Sequence, residues 1–517
     1  MRKWGPLVAV CLGTFMLLLD VTIVIVALPD IAHSLNASLS QLQWVIDGYA
    51  LMLAALLLGA GAAADVVGRR KVYVAGTALF AAASLACGLA PNAGALVAMR
   101  AVQGLGATAM FATTLSLLAA TYQGRDRSVA LGVWGAVSGG AAALGPILGG
   151  LLTQGLDWRW IFFVNLPVSV AAIVLTLRAV GESRGGPGAR IDWAGTATFT
   201  VFAGATTYAV IRADAVGWGS TRTAATLALA VVALALFVLV ERRSAQPMLD
   251  LALFRSGSFA GVMVGSVALN AAAFGFLPYT SIWLQTLLGL SPVRGGLVLV
   301  PLALTAFVAA ALGGRLLHGA PYRLVIGLGL LLIGAGALAQ SFLDAGSGWP
   351  ALTAGLAVAG AGVGLVSPAI ASAALASVPP RQAGTAGGAV NTLRQLGYAL
   401  GVAVFGTLTA SRMEHSLRGA GLADPRGAAR ALAGGGAHQL LARVPRAQRP
   451  ALDRALHAAF ASGLNTAGAV AGVLGLLAGA AVLLLVRGPA PAAAGAPGRS
   501  AGPGGDAALA SGEKLHT

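Results

Sequence analysis

Four ionisable residues sit where the sequence is otherwise apolar: Asp20, Asp47, Arg100 and Arg394. A charge at the centre of a membrane span costs about 2.5–3.5 kcal/mol on insertion scales, so such residues usually face an interior and mark a pathway. An acid and an arginine that meet in such a place offer a proton switch. Desolvation favours a neutral acid, a neighbouring guanidinium favours its carboxylate, and their separation decides between the two. Asp20 and Arg100 are the candidates for that role, with a static ion pair that fixes packing as the alternative. Arg394 shares one helical face with Asn391 and Tyr398. Asp47 follows Trp44, where a role at a helix N-terminus is equally open. Asp47, Asn391, Arg394 and Tyr398, together with Gln103, Asn270, Tyr279 and Trp283, are the positions expected along a substrate path.

The elements that would position these residues are membrane helices. Of 517 residues, 57% are hydrophobic and only 10% charged, and the mean hydropathy is +0.83. Soluble chains carry about 25% charged residues, whereas about 20 apolar residues in a helix cross a bilayer. Apolar runs predict helices near 7–29, 44–64, 72–90, 95–121, 128–153, 161–180, 193–211, 222–240, 259–284, 292–313, 324–342, 350–376, 384–410 and 462–486. The basic start followed by an apolar run resembles a secretory signal, but the run continues to Pro29 and reads as an uncleaved first span. The formal charge of +16 falls mostly in short loops, where the positive-inside rule accounts for it. No aromatic-rich basic platform for nucleic acid accompanies it.

Charge also orients the chain. With the N-terminus inside, inner loops carry Arg69, Arg70, Lys71, Arg125, Arg127, Arg184, Arg190, Arg242, Arg243, Arg255, Arg315, Arg323 and Arg381, and short outer loops carry few, such as Arg159, Arg212 and Arg222. Both termini are then cytoplasmic. The segment 411–461 breaks the rule: it falls outside, yet holds eight arginines. Either a late, long loop escapes the bias or the helix count is off by one; an even count, which also puts Arg487 inside, favours the first. A glycine-then-basic loop recurs after the second and tenth helices, at Gly61 to Lys71 and at Gly313-Gly314-Arg315 with Pro321 and Arg323. Repeated halves around a central site are a transporter design. The expected division is 1–190 as the first six-helix half, 191–258 as two extra helices with a linker, 259–487 as the second half, and 488–517 as a disordered Ala/Gly/Pro-rich tail.

Several stretches carry a family resemblance. Gly61-Ala-Ala-Ala-Asp65-Val-Val-Gly68-Arg69-Arg70-Lys71 is similar to the signature loop of the major facilitator superfamily, with Val66 where a basic residue is usual. Its glycines allow a tight turn, and Asp65 and Arg69 are spaced to pair. Leu19-Asp20-Val-Thr22 through Pro29 resembles the first helix of the drug:proton antiporter branch, with Ile25 in place of a frequent Asn. Arg100-Ala-Val-Gln103-Gly104 is similar to that branch's proton-coupling motif. Gly132, Gly145-Pro146 and Gly149-Gly150 resemble its antiporter motif, with Ala141 at a position normally glycine. Trp158-Arg-Trp-Ile-Phe-Phe-Val-Asn165-Leu-Pro167 and Asn391-Thr-Leu-Arg394-Gln395 resemble its fourteen-helix subgroup. The resemblance implies an all-α membrane fold of two six-helix halves plus two central helices, about fourteen spans in all. It implies a loop that latches the halves on the cytoplasmic side, and proton-driven efflux of lipophilic drugs, antibiotics or secondary metabolites across the plasma membrane. A metabolite transporter of the same fold and a non-transporting sensor or scaffold are the rivals.

Small residues in the fifth span let helices approach closely, and Pro146 removes a backbone bond and can bend it. No Walker loop follows a strand, the six histidines form no ligand pair in one helix, and Met16, Met52, Met99 and Met110 read as packing. Cys11 and Cys87 fall in apolar helices and read as small core residues. The expected partners are a small lipophilic substrate, protons and membrane lipids, with no cofactor, metal or nucleic acid, no enzymatic activity, and the oligomeric state open.

Overall fold

The structure is a computed structural model that describes residues 2–184, 191–244, 247, 249–316, 320–378 and 383–486. Arg190, Arg381, Arg487 and the tail 488–517 lie outside them. Fourteen long helices run through the described residues: α1 Gly5–Leu35, α2 Leu39–Val67, α3 Arg69–Gly88, α4 Ala93–Thr121, α5 Gly124–Gly155, α6 Trp160–Ala179, α7 Trp193–Val216, α8 Thr221–Arg243, α9 Gly257–Thr286, α10 Pro292–Leu316, α11 Tyr322–Ala339, α12 Pro350–Ala376, α13 Ala383–Gly419 and α14 Arg449–Leu485. By length and composition, eleven of the described helices can cross a bilayer, and twelve if the two arms of α2 form one span; α5 and α13 are outside that count.

Local sequence fixes the helix starts. Ser38 and Gln41 form a capping box at α2, Asn92 caps α4 at the Ala95 N–H, Ser220 caps α8, and Ser256 caps α9. These side-chain oxygens satisfy amides that the first turn leaves open. The box starts α2 before the apolar run expected at 44. Two other helices also outrun their apolar runs. α13 continues to Gly419, α14 begins at Arg449, and between them lie short helices Pro425–Ala433 and Ala437–Ala442. The expected loop 411–461 is therefore largely helical, because its Ala/Arg composition favours helix without making it apolar. α9 is broken at Gly275, whose backbone approaches that of Gly401, and restarts at Leu277-Pro278.

Packing repeats along the chain with an offset of eight helices. In the first part α1 packs on α5 and α6, α4 on α2 and α3, and α3 on α6; in the second α9 packs on α13 and α14, α12 on α10 and α11, and α11 on α14. The two parts meet through α5 against α10, α2 against α13, and α1 against the second arm of α9. α7 and α8 form a hairpin, and α7 rests on both α2 and α13. The large apolar side chains left exposed, such as Val231 at 67% on α8 and Leu477 at 65% on α14, line the outside of the bundle, as a lipid-facing surface requires.

Candidate functional site

Asp20 lies mid-helix in α1 and Arg100 about two turns into α4, and the structure brings them together. The Arg100 Nη1 donates to Asp20 Oδ2, and the two side chains are 2% and 0% exposed. The guanidinium is held on every side. Its Nε donates to the Val45 carbonyl at 2.9 Å, Nη1 also donates to Gln103 Oε1 at 2.7 Å, and its carbon sits 4.4 Å from the Tyr49 ring centroid. The second carboxylate oxygen, Asp20 Oδ1, accepts from Gln103 Nε2 at 2.9 Å and Asn165 Nδ2 at 3.1 Å. Ser84 Oγ accepts from Gln103 Nε2 at 2.8 Å and joins α3 to the group. A buried ion pair repays its desolvation only when the remaining donors and acceptors are satisfied, and here α2, α3, α4 and α6 supply them.

The seam between the two parts holds a second polar group. Asp47 is 0% exposed, and among the described residues neither of its oxygens has a hydrogen-bond partner. It stands two turns inside α2, so the helix N-terminal role open in the sequence is excluded; Ser38 caps the helix instead. Across the seam stand the buried Tyr279 of α9 and Tyr398 of α13. Tyr279 accepts from Gln43 Nε2 at 3.1 Å and donates to the Val402 carbonyl at 2.6 Å, while the buried Tyr398 hydroxyl has no partner. Arg394 reaches only long contacts, 3.5 Å to Asn270 Oδ1 and 3.4 Å to Ser367 Oγ. Trp283 is buried in α9, and Asn391 is half-buried in α13. Of the expected path residues, Gln103 belongs to the Asp20 group and not to the seam.

The signature stretch 61–71 is almost wholly helical: α2 runs to Val67, α3 starts at Arg69, and Gly68 alone makes the turn at φ +127°. Any Cβ at Gly68 would also sit 2.8 Å from the Glu182 carboxyl carbon. Gly61, expected to allow a tight turn, is inside α2 with open space around it. Asp65 and Arg69 pair at 2.9 Å across the turn. Arg69 N donates to the Ser183 carbonyl at 2.9 Å and Arg70 N to Glu182 Oε1 at 3.0 Å, while Lys71 is exposed. These contacts tie α2 and α3 to the end of α6. Among the described residues these contacts stay within one part, and polar contacts that join the parts lie at the opposite end of the bundle. There Gln43 meets Tyr279, and Gln285 Nε2 donates to the Val26 carbonyl at 2.8 Å.

The glycines of α5 set how closely its neighbours come. Gly145 faces Thr22, Gly149 lies against the Ile23 carbonyl, and Gly150 lies against the backbone of Pro292 and Val293. On α10, Gly296 faces the Pro146 carbonyl, and Gly132 lies lower on α5. Among the described residues no group of three or more His, Cys, Asp or Glu could hold a metal ion. Sequence reasoning missed Ser84, Tyr49, Gln43 and the Val45 carbonyl, and it quoted Asn165 without giving it a role. Asn165 was findable as an amide inside the apolar run of α6; the others carry no such signal.

Two eight-helix-offset bundles that meet along a seam, with buried charge in one and polar groups on the seam, define a multi-pass membrane transporter. The chain belongs to the Major Facilitator Superfamily, whose pattern matches residues 10–402. It is 38% identical over 412 residues to the Multidrug resistance protein Stp of Mycobacterium tuberculosis, covering 80% of this chain and 76% of that one. It is 36% identical over 500 residues to the Tetracenomycin C resistance and export protein of Streptomyces glaucescens, covering 94% and 92%. Against the Puromycin resistance protein pur8 of Streptomyces alboniger it is 37% identical over 418 residues, covering 79% and 82%. The structure of a bacterial homolog of the human lysosomal transporter Spinster, inward-facing and unoccupied, matches with a TM-score of 0.63 at 18% identity over 94% of this chain and 97% of that one. It shares the fold.

Proposed function

We propose that the chain is a proton-coupled efflux antiporter that exports lipophilic drugs, antibiotics or secondary metabolites across the plasma membrane. The carrying observation is the Asp20–Arg100 pair, buried in the first bundle with both carboxylate oxygens accepting hydrogen bonds. Three of the relatives are named for drug or antibiotic resistance, one of them also for export, which supports outward transport here. The proton is taken by Asp20 when a shift of α1 against α4 within the first bundle, coupled to the rocking cycle, separates it from Arg100, and it is released inside when the pair re-forms. The seam group of Asp47, Tyr279, Tyr398 and Arg394 is the substrate path. Its single unpartnered acid suits neutral, weakly acidic or monocationic compounds better than dications.

The same reading divides the chain into halves 1–190 and 259–487 joined by the hairpin region 191–258. It takes α5 and α13 as further crossings, for fourteen in all, and places both termini in the cytoplasm. α5 and α13 each line the seam, where Gly145, Gly149 and Gly150 of α5 and Arg394 of α13 face protein and not lipid. The test is pH-gradient-driven transport by purified Asp20→Asn protein in proteoliposomes. Coupled flux is expected to vanish while substrate binding and folding persist; undiminished coupled flux would assign the pair to packing alone.

A further inference from the structure

The hairpin of α7 and α8 carries a feature that the transport cycle does not use. A cavity of about 370 Å³ opens between the two helices, lined by Tyr208, Ala209 and Arg212 of α7 and by Arg222, Thr223 and Thr226 of α8. Its volume falls in the usual range of about 300–1,000 Å³ for small-molecule sites. Arg212 and Arg222 are exposed, and among the described residues neither has a carboxylate partner. Arg212 stands 5.5 Å from the Tyr208 ring centroid, and Tyr208 in turn tilts against Trp44 at 6.2 Å. Two arginines from two antiparallel helices lining one cavity are a donor set for an oxyanion. The planar fork of arginine suits phosphate oxygens in pairs.

The surroundings say which oxyanion. The cavity lies at the hairpin's turn, where Trp218 is 58% exposed, and exposed aromatic rings gather at the bilayer interface. From Arg222 one exposed face of α8 continues through Leu229, Val232 and Leu236 at 51%, 54% and 46% exposure. Arg222 to Val232 spans about 15 Å at the rise of a helix, the depth of one leaflet's hydrocarbon. A free phosphate has no use for that apolar track, whereas an acyl chain follows it from a headgroup held at the arginines.

We propose that this cavity binds the headgroup of an anionic phospholipid, with an acyl chain laid along the exposed face of α8. A lipid so placed bears on the seam, because α7 reaches both bundles. The Val210 carbonyl accepts from Thr407 Oγ1 at 3.2 Å, and Val210 and Ile211 pack with Ala403 and Trp44.

The experiment measures lipid retained by the purified protein in native mass spectrometry, and the melting temperature, with phosphatidylglycerol, phosphatidylethanolamine or inorganic phosphate added. The wild type is expected to retain phosphatidylglycerol and to melt higher with it, and to gain nothing from phosphatidylethanolamine or phosphate. An interfacial arginine contributes about fivefold in affinity for an anionic lipid. R212Q is therefore expected to bind about fivefold more weakly and R212Q/R222Q about 25-fold. R242Q/R243Q, at the other end of α8, should bind as the wild type does. Equal retention by the wild type and R212Q/R222Q, or an equal loss in R242Q/R243Q, would overturn the site. A melting shift from inorganic phosphate as large as that from phosphatidylglycerol would make it a free-anion site and overturn the lipid assignment.

Discussion

Arg100 does four things at once: it pairs with Asp20, donates to Val45 and Gln103, and lies over the Tyr49 ring. A lysine keeps the charge but cannot span these partners from a single nitrogen. Hydrogen bonds to charged groups contribute about 1.5–3 kcal/mol each, so Arg100→Lys is expected to lower proton-driven efflux roughly 10- to 100-fold, read as initial rates in proteoliposomes at matched protein. Normal rates would mean that charge alone suffices. Asp47 differs in kind, since both oxygens are buried without a partner among the described residues. Asp47→Asn is expected to cost a monocationic substrate about tenfold in export, the value of one charged contact, and to spare a neutral one in the same cells. Equal losses for both would assign Asp47 to folding. The charged residues were legible in the sequence because an ion in an apolar run is conspicuous. Ser84 and Tyr49 were not, because a hydroxyl or a phenol costs little in a helix, and its partner appears only when α3 and α2 come beside α4. The opposite error occurred at Gly61, where the motif suggested a turn that Gly68 alone supplies.

Between helices, contact distance is what the α5 glycines control. A Cβ at Gly150 would stand 2.6 Å from the Val293 Cα and 2.7 Å from the Pro292 carbonyl oxygen, both backbone atoms that cannot step aside. Gly155, one turn further on, has nothing within 4 Å. Gly150→Val is therefore expected to push α10 off α5, with about 1–3 kcal/mol of destabilisation from overpacking, a lower melting temperature and no transport. Gly155→Val should behave as the wild type, and similar melting of the two variants would show that α5 and α10 do not pack through this glycine. Most helix bounds were legible to within a turn, but α1, α2 and α7 run five or six residues beyond their apolar runs. The extra turns of α13 and α14 were not, since α-helix continues past the bilayer wherever alanine and arginine keep its propensity high. Those turns place Glu414 on a helix between Arg418 and Arg426 instead of in a loop.

For the whole molecule, two questions are open to direct test: which way the chain lies in the membrane, and which end opens. Ala423 is exposed between α13 and the helix Pro425–Ala433, and Lys71 is exposed at the start of α3. On the proposed topology, Ala423→Cys is labelled by a membrane-impermeant thiol reagent in intact cells and Lys71→Cys is not; the reverse pattern would invert the orientation. The native Cys11 and Cys87 are buried and do not compete. The second question follows from where the bundles touch. Their polar contacts gather at the end bearing Gln43 and Gln285, and over that end lies the helix Pro425–Ala433, packed on α2, α13 and α14. A Cβ on Gly434 would lie 3.5 Å from the Ala37 carbonyl, and Gly434 has φ −84°, which any residue adopts. The two backbones therefore approach each other across this end, and a cysteine pair at these positions is expected to close into a disulfide on oxidation. If export requires this end to part, oxidised Ala37→Cys/Gly434→Cys protein is inactive and a reductant restores it, while each single variant transports under both conditions. Full activity in the cross-linked state would show that the substrate leaves by another route and that the rocking cycle does not open here.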